Sequence, residues 1–164
     1  MLAVYKNLHQ IRFGELMEVY SESVAENGEE LYPDLSGAEQ VLQAQQDFYA
    51  YLQQGFFCKE GDTYCIWEEN GKYVCALRLE SYQDGLLLEA LETRPEYRKQ
   101  GYAEKLIRAV QQMVGDGKIY SHISHKNAAS LAVHEKCGFQ KILDHARYAD
   151  GSVNSYCGTY RFGN

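Results

Sequence analysis

The stretch from Leu91 to Ala103 limits the fold of this chain more than any other part of the sequence. It predicts a strand that ends at Pro95, a short basic turn, and a helix that begins after Gly101. Such a junction leaves backbone N–H groups unpaired at the positive end of a helix dipole, where phosphate groups bind readily. The junction therefore indicates a phosphate-bearing ligand. A plain surface connection is the alternative that the turn alone leaves open.

The side chains around the turn agree with this interpretation. Gly101 lacks the Cβ atom that would hold a phosphate away from the amides, and Ala103 is small for the same reason. Arg98 and Lys99 add positive charge where a pyrophosphate would lie, although two basic residues on a turn also fit a solvated surface. The following helix has its apolar residues at the spacing of one face and ends at Gly115: Leu106, Ile107, Val110, Met113 and Val114.

Length and charge restrict the domain count and the class of partner. A chain of 164 residues can bury one proper core and is too short for two, so we expect a single domain over residues 1–164. A formal net charge of -7 argues against nucleic acid, because phosphate backbones are bound by clustered Lys and Arg. The acidic balance is compatible with a cationic substrate such as an amine, and equally with a surface that serves solubility.

The remaining composition predicts a cytoplasmic protein. No apolar run approaches the length of a membrane span, and residues 1–6 lack the pattern of a signal peptide, so no membrane partner is expected. The five cysteines form no Cys-x-x-Cys pair and suit a reducing compartment. His122 and His125 come closest to metal-ligand spacing, yet on a strand an offset of three points them to opposite faces. No metal site is therefore predicted.

The first third of the chain is predicted to be mainly helical. Apolar residues at helical spacing predict one helix over residues 13–24, which stops before Asn27-Gly28. A polar loop through Pro33 follows. The run Ser36-Gly-Ala-Glu39 has the form of a capping box and predicts the start of a second helix, which continues to Gly55.

The middle of the chain changes to alternating apolar and polar residues, which is typical of strands. Asn70-Gly71 is a strong signal for a two-residue hairpin, and a second turn is predicted at Asp84-Gly85, so three strands form an antiparallel meander. The predicted strands are residues 2–6, 64–67, 73–79, 86–93, 119–124, 139–148 and 153–162, with a short helix capped by Asn127 and ended by Gly138.

Two segments resemble the signatures of the GNAT superfamily of N-acetyltransferases. The family's acetyl-CoA signature, Arg/Gln-x-x-Gly-x-Gly/Ala, is similar to the run Arg98-Lys99-Gln100-Gly101-Tyr102-Ala103, which follows Leu91-x-Thr93-x-Pro95 in place of the family's Leu-x-Val-x-Pro. The second signature, Asn-x-x-(Ser/Ala)-x-x-(Leu/Val)-Tyr-x-x-x-Gly-Phe, resembles the run from Asn127 to Phe139, with His134 at the position of the tyrosine. Together with the order of elements along nearly the whole chain, the two signatures make the resemblance specific.

The resemblance implies an α+β fold and a place for acetyl-CoA as co-substrate. The implied fold is a mixed, mostly antiparallel, twisted sheet of about seven strands with about four helices. Its central parallel strands, here residues 86–93 and 118–124, splay apart and admit the pantetheine arm. By the same resemblance, the main chain of Leu91 and Thr93 pairs with the pantetheine amides. Asn127 and Ser130 approach the thiol-side half of the cofactor. The pyrophosphate is held by the turn, with the charge of Arg98 and the amides of Lys99, Gln100, Gly101, Tyr102 and Ala103.

The chemistry implied is direct attack by a primary amine of a small molecule or peptide on the thioester. The amine arrives charged, with a pKa near ~10, so a base is needed. Glu89 is the best candidate, because it interrupts an apolar strand beside the cleft, where burial would raise its pKa. A carboxylate that only reaches solvent or attracts a cation is the alternative. Glu92 is the weaker candidate, because regular alternation places it on the opposite face of the strand.

His134 leaves two interpretations open. As an imidazolium it could protonate the departing thiolate in place of the family's tyrosine, or it could simply pack on the helix face. This substitution also keeps a second function open, a catalytically weak module that binds or senses acyl-CoA with the same fold. An unrelated nucleotide-binding protein with the same turn is a third. The sequence identifies neither the acceptor amine nor the oligomeric state, so a homodimer stays open.

Overall fold

The computed structural model describes residues 1–164 and contains two sheets and five α-helices. The strands are β1 (Leu2–Tyr5), β2 (Thr63–Glu69), β3 (Lys72–Tyr82), β4 (Gly85–Thr93), β5 (Lys118–Ser124), β6 (Gln140–Leu143), β7 (Ala146–Arg147), β8 (Val153–Asn154) and β9 (Cys157–Phe162). The helices are α1 (Phe13–Val19), α2 (Ser21–Leu31), α3 (Gly37–Tyr51), α4 (Tyr102–Val114) and α5 (Ala128–Lys136). Short helical turns occupy Leu8–Gln10, Leu52–Phe56 and Pro95–Tyr97.

The main sheet has seven strands in the order β1-β2-β3-β4-β5-β9-β6. Only β4 and β5 are parallel, and every other neighbouring pair is antiparallel. This confirms the mixed, mostly antiparallel α+β sheet with one central parallel pair. The structure has five helices where the sequence predicts about four.

The extra helix comes from a break at Tyr20, which separates α1 from α2 inside the segment predicted as one helix. The predicted end at Asn27-Gly28 was also wrong, because α2 continues to Leu31. Gly28 marks a close approach between helices: a Cβ atom there would lie 2.7 Å from the carbonyl oxygen of Gln40 in α3. Gly28 is required by this contact between helices, but the sequence alone indicates a helix end at that position.

The predicted turns and caps have mixed outcomes. The hairpin at Asn70-Gly71 and the capping box at Ser36 are present. The next turn lies one residue earlier than predicted, at Gln83-Asp84, because Tyr82 already pairs with Gly85. The two predicted C-terminal strands are each interrupted, so that β7 and β8 form a separate ribbon while β9 inserts between β5 and β6.

Two cores lie on opposite faces of the sheet. Helices α1 to α3 pack on one face around Leu16, Tyr20 and Tyr64. Helix α4 covers the other face through Leu106 and Ile107. The central strands of the sheet therefore have a packed layer on each side. None of the helices combines the length and the apolar character that a bilayer span requires.

We predict that Gly28→Ala lowers the free energy of unfolding by about 1–3 kcal/mol, because the added methyl group must displace the α3 backbone. Gly14→Ala is the matched control, since Gly14 also lies in a helix and an added Cβ there meets nothing within 4 Å. That control should leave stability unchanged or raise it by up to about 1 kcal/mol. Urea unfolding of both variants measures the difference, and equal stabilities would contradict the close contact.

Candidate active site

The candidate site begins where β4 and β5 stop pairing. Their ladder covers four residue pairs and ends at Leu88 opposite Ser121. The hydroxyl of Ser121 donates to the carbonyl of Leu88 at 3.2 Å and closes the end of the ladder. Beyond this point β4 continues to Thr93 and β5 to Ser124 without pairing to each other. The backbone edges of both strands are therefore free to accept a ligand between them.

An extra residue in β4 changes which side chains face helices α1 to α3. Ala90 has a left-handed backbone with φ +50°, and the register to β3 shifts there. Glu89 is paired with Arg78 and Glu92 with Ala76, and residues 76 and 78 share one face of β3. Glu89 and Glu92 therefore lie on the same face of the sheet. The expectation that alternation separates them was wrong, because the bulge interrupts the alternation.

The backbone of Thr93 faces the gap between the strands. Thr93 lies opposite Cys75, and the next residue, Arg94, donates its N–H to the carbonyl of Val74 at 2.8 Å. Because hydrogen bonds alternate along an antiparallel ladder, the N–H and C=O of Thr93 point away from β3. Its carbonyl accepts a hydrogen bond from Nε of Arg98 at 3.1 Å. This orientation suits a chain of amides lying along β4.

A groove of about 800 Å³ starts at this end of β4. It runs between the basic turn with the first residues of α4 and the exposed face of α5. Nine of the ten predicted cofactor residues line it: Leu91, Thr93, Arg98, Lys99, Gly101, Tyr102, Ala103, Asn127 and Ser130. Gln100 does not line it, and its side-chain amide donates to the carbonyl of Glu96 at 3.0 Å.

The turn presents a row of free donors to the groove. Lys99 and Gly101 both have left-handed backbones, with φ +60° and +79°. The N–H groups from Lys99 to Glu104 donate to no acceptor in the protein. A Cβ atom built on Gly101 would meet nothing within 4 Å, and Gly101 lines the groove, so the space beside it is open. Converging free N–H groups at a helix N-terminus form a cradle for an anion.

Several lining residues were not predicted from the sequence. Helix α5 contributes Ala129, Ala132, Val133 and Lys136, and α2 contributes Ser23. The α5 residues could have been found, because they follow the Asn127 cap at helical spacing. No sequence signal links Ser23 to the turn, since the two are brought together only by tertiary packing.

The two predicted basic residues of the turn have different surroundings. Arg98 is already engaged, since its Nη1 pairs with Glu22 of α2 at 2.6 Å. Lys99 makes no ion pair and lines the groove. The turn therefore offers one free ammonium group beside the donors, while Arg98 connects the turn to α2.

Glu89 lies outside the groove lining. Its carboxylate is 3.7 Å from the guanidinium of Arg78, which stacks over the rings of Tyr51 and Phe56. Burial raises the pKa of Glu89, the neighbouring carboxylate of Glu80 raises it further, and Arg78 acts in the opposite direction. The predicted base thus has a raised pKa and a cation within ion-pair distance.

His134 is buried on the inner side of α5. Its Nδ1 lies 2.8 Å from the carbonyl oxygen of Ser130, and because a carbonyl only accepts, this nitrogen carries the proton. The other nitrogen, Nε2, is buried without a partner, and the ring packs edge-on against Phe139 at 4.9 Å between centroids. Burial lowers the pKa of His134, while the Ser130 carbonyl opposes this shift. The side chain is not part of the groove lining.

The sequence profile of the acetyltransferase (GNAT) family matches residues 27–139 of this chain. The match includes the turn, α4 and α5 through Phe139. No curated protein sequence gives a significant match.

Solved structures with the same fold cover nearly the whole chain. The ribosomal-protein-S18-alanine N-acetyltransferase from Escherichia coli has a TM-score of 0.61 at 17% identity, covering 99% of this chain and 93% of that one. The PaiA N-acetyltransferase from Thermoplasma acidophilum, solved in complex with coenzyme A, has a TM-score of 0.63 at 11% identity, covering 100% and 99%. Aminoglycoside 6'-acetyltransferase type Ii has a TM-score of 0.62 at 15% identity, covering 99% and 96%. At these identities the likeness concerns the fold.

We predict that the buried His134 makes stability depend on pH. The pKa of His134 in the folded protein lies below the unfolded value of ~6.5, so the unfolded chain binds the proton more readily. The stability that the neutral His134 contributes above pH ~6.5 is therefore lost as the pH falls. Between pH 7.5 and 5.5 the free energy of unfolding should fall less in His134→Gln than in wild type. The slopes of the two curves should differ by at most about 1.4 kcal/mol per pH unit, the effect of one proton. His9→Gln, at an exposed histidine, is the control. Parallel curves for wild type and His134→Gln would contradict a buried neutral imidazole.

Proposed function

Because the chain belongs to the acetyltransferase (GNAT) family, we propose that it transfers an acetyl group from acetyl-CoA to a primary amine of a small molecule or peptide. One observation carries the proposal: the groove joins the unpaired edge of β4 to the free N–H groups of the turn. We propose that residues 1–164 form one domain, because the groove is lined by residues from Ser23 to Lys136.

We propose that the pyrophosphate binds the free N–H groups from Lys99 to Ala103, with the ammonium group of Lys99 beside it. The pantetheine arm then lies along β4, where the outward N–H and C=O of Thr93 pair with its amides and Leu91 lines the wall. The residues present suit such a ligand, because the donors are free and the space before Gly101 is open.

The cap of α5 faces the same groove and completes the proposed cofactor site. The side-chain oxygen of Asn127 accepts the N–H of Ser130, which leaves the amide NH2 of Asn127 without a role in the cap. We propose that this group and Ser130 contact the thiol-side half of the cofactor. Arg98 orients the turn through its contacts with Glu22 and Thr93, because its guanidinium is already engaged there.

The proposed reaction needs a neutral amine at the thioester. The amine attacks the carbonyl carbon, the C–S bond breaks, and the thiolate accepts a proton. The raised pKa of Glu89 suits a base, but Glu89 lies outside the groove lining and beside Arg78. We propose a packing role for His134, because its one N–H is held by the Ser130 carbonyl within the helix.

A module that binds or senses acyl-CoA without efficient turnover is the second candidate. The position of His134 favours it, because the residue at the family's tyrosine position has no proton directed into the groove. Release of the CoA thiol with a broad panel of amines separates the two functions. Turnover with any amine supports the transferase, whereas tight acetyl-CoA binding without release supports the sensor.

We predict that Gly101→Trp abolishes acetyl-CoA binding, because the side chain would fill the space before the free amides and strain a left-handed backbone. Gly71→Trp is the matched control: Gly71 has φ +78° and also meets nothing within 4 Å, but it lies in the β2–β3 hairpin. The control should bind acetyl-CoA with wild-type affinity in calorimetry. Unchanged affinity in Gly101→Trp would overturn the assignment of the cradle.

A further inference from the structure

We propose that Glu92 is the general base that deprotonates the acceptor amine. The inference rests on the proposed acetyl transfer and gives a catalytic role to a residue that the alternation of the strand would turn away from the acceptor. The bulge at Ala90 places the carboxylate of Glu92 beside Ser23 of α2, whereas the carboxylate of Glu89 lies beside Arg78.

Glu92 lies at the end of β4 where the groove starts. The bulge turns Glu92 toward α2, where its carboxylate accepts a hydrogen bond from Ser23, and both residues line the groove. The backbone of Thr93 faces the same gap and is the proposed partner of the pantetheine arm. Glu92 therefore stands between the strand that holds the cofactor and Ser23 in the first turn of α2.

The hydrogen bonding of Glu92 leaves it free to act. The hydroxyl of Ser23 donates to Oε1 of Glu92, while Oε2 receives no hydrogen bond from the protein. No cation forms an ion pair with the carboxylate, because the nearby Arg98 is paired with Glu22. Ser23 thus holds the orientation of the carboxylate and leaves one oxygen for the proton of the amine.

The surroundings of Glu92 shift its titration in the direction that a base requires. Burial raises its pKa, and the carboxylates of Glu22 and Glu26 on α2 raise it further. The Ser23 hydroxyl and Arg98 on the turn act in the opposite direction. Burial raises the pKa of Tyr20 and of Tyr64, and the charge of Glu92 raises both further, so these two phenols stay uncharged. A carboxylate with a raised pKa accepts a proton more readily.

Glu89 differs from Glu92 in access and in charge partner. It lies within ion-pair distance of Arg78 and outside the groove lining. A guanidinium at that distance stabilises the charged carboxylate and opposes protonation. The two glutamates lie on the same face of the sheet, so orientation does not distinguish them as bases. Glu92 is the better candidate because it lines the groove and has no ion-pair partner.

The proposed step balances without a further reactant. One proton of the ammonium group moves to Oε2 of Glu92, and the nitrogen lone pair forms a bond to the thioester carbon. The C–S bond then breaks and its electron pair leaves with sulfur. A second proton of the nitrogen passes to the thiolate, which gives the amide and CoA thiol. Glu92 finally releases its proton to solvent.

The test compares the pH profiles of kcat/KM for CoA release by full-length variants with one amine that wild type accepts. Glu92→Gln should lower kcat/KM by about 10²–10⁴-fold and remove the acid limb of the profile. Glu92→Asp should keep that limb at a reduced rate, since it retains a displaced carboxylate. Glu30→Gln, an exposed residue of α2, removes the same charge away from the groove and should match wild type. Calorimetry should give wild-type affinity of Glu92→Gln for acetyl-CoA.

The outcomes separate this inference from the proposed function. Wild-type activity in Glu92→Gln overturns the role of Glu92 alone, as does loss of the acid limb in Glu89→Gln with the limb kept in Glu92→Gln. A loss of acetyl-CoA affinity in Glu92→Gln equal to its loss of rate overturns it as well, because a base does not act through cofactor binding. Absence of CoA release from wild type with every amine overturns the proposed transfer, and the role of Glu92 with it.

Discussion

The left-handed backbone of Ala90 is the constraint on which the geometry of the site depends. A non-glycine residue in this region costs about 1–2 kcal/mol relative to an ordinary strand conformation. The hydroxyl of Tyr20, buried between the helices and the sheet, donates to the Ala90 carbonyl at 2.7 Å and holds the bulge in place. A net hydrogen bond of about 1 kcal/mol and the surrounding core offset the strain. Beyond the bulge, Thr93 faces the gap between the parting strands and Glu92 faces α2.

Helix α2 contacts two residues of the groove lining, Glu92 and Arg98. Its first turn contacts the carboxylate of Glu92 through Ser23 and the basic turn through the pair of Glu22 with Arg98. The Glu22–Arg98 pair is about half exposed on both sides, so it adds less than about 1 kcal/mol to stability. Its effect is positional, because it keeps a guanidinium away from Glu92 and brings α2 against the turn.

Local signals in the sequence predicted local structure well, and tertiary contacts account for the failures. The caps at Ser36 and Asn127 were predictable because each depends on side chains within three residues. Gly28 was misread as a helix end because its reason lies in α3, twelve residues away. The bulge at Ala90 has no local signature, since alanine is an ordinary strand residue. The side-chain faces of β4 beyond it, and with them the position of Glu92, could not be derived from alternation.

The position of His134 bears on whether the reaction needs a dedicated acid. An alkyl thiol has a pKa near ~8.5, whereas the attacking amine has one near ~10, so the thiolate is the weaker base and leaves more readily. The nitrogen that has just formed the new bond still carries a proton, which the departing sulfur can accept directly. A neutral histidine whose only N–H is bonded to the Ser130 carbonyl is therefore compatible with turnover. Removal of the first proton from the ammonium group has no such internal route, so the demand on the protein falls on the base, and in this groove on Glu92.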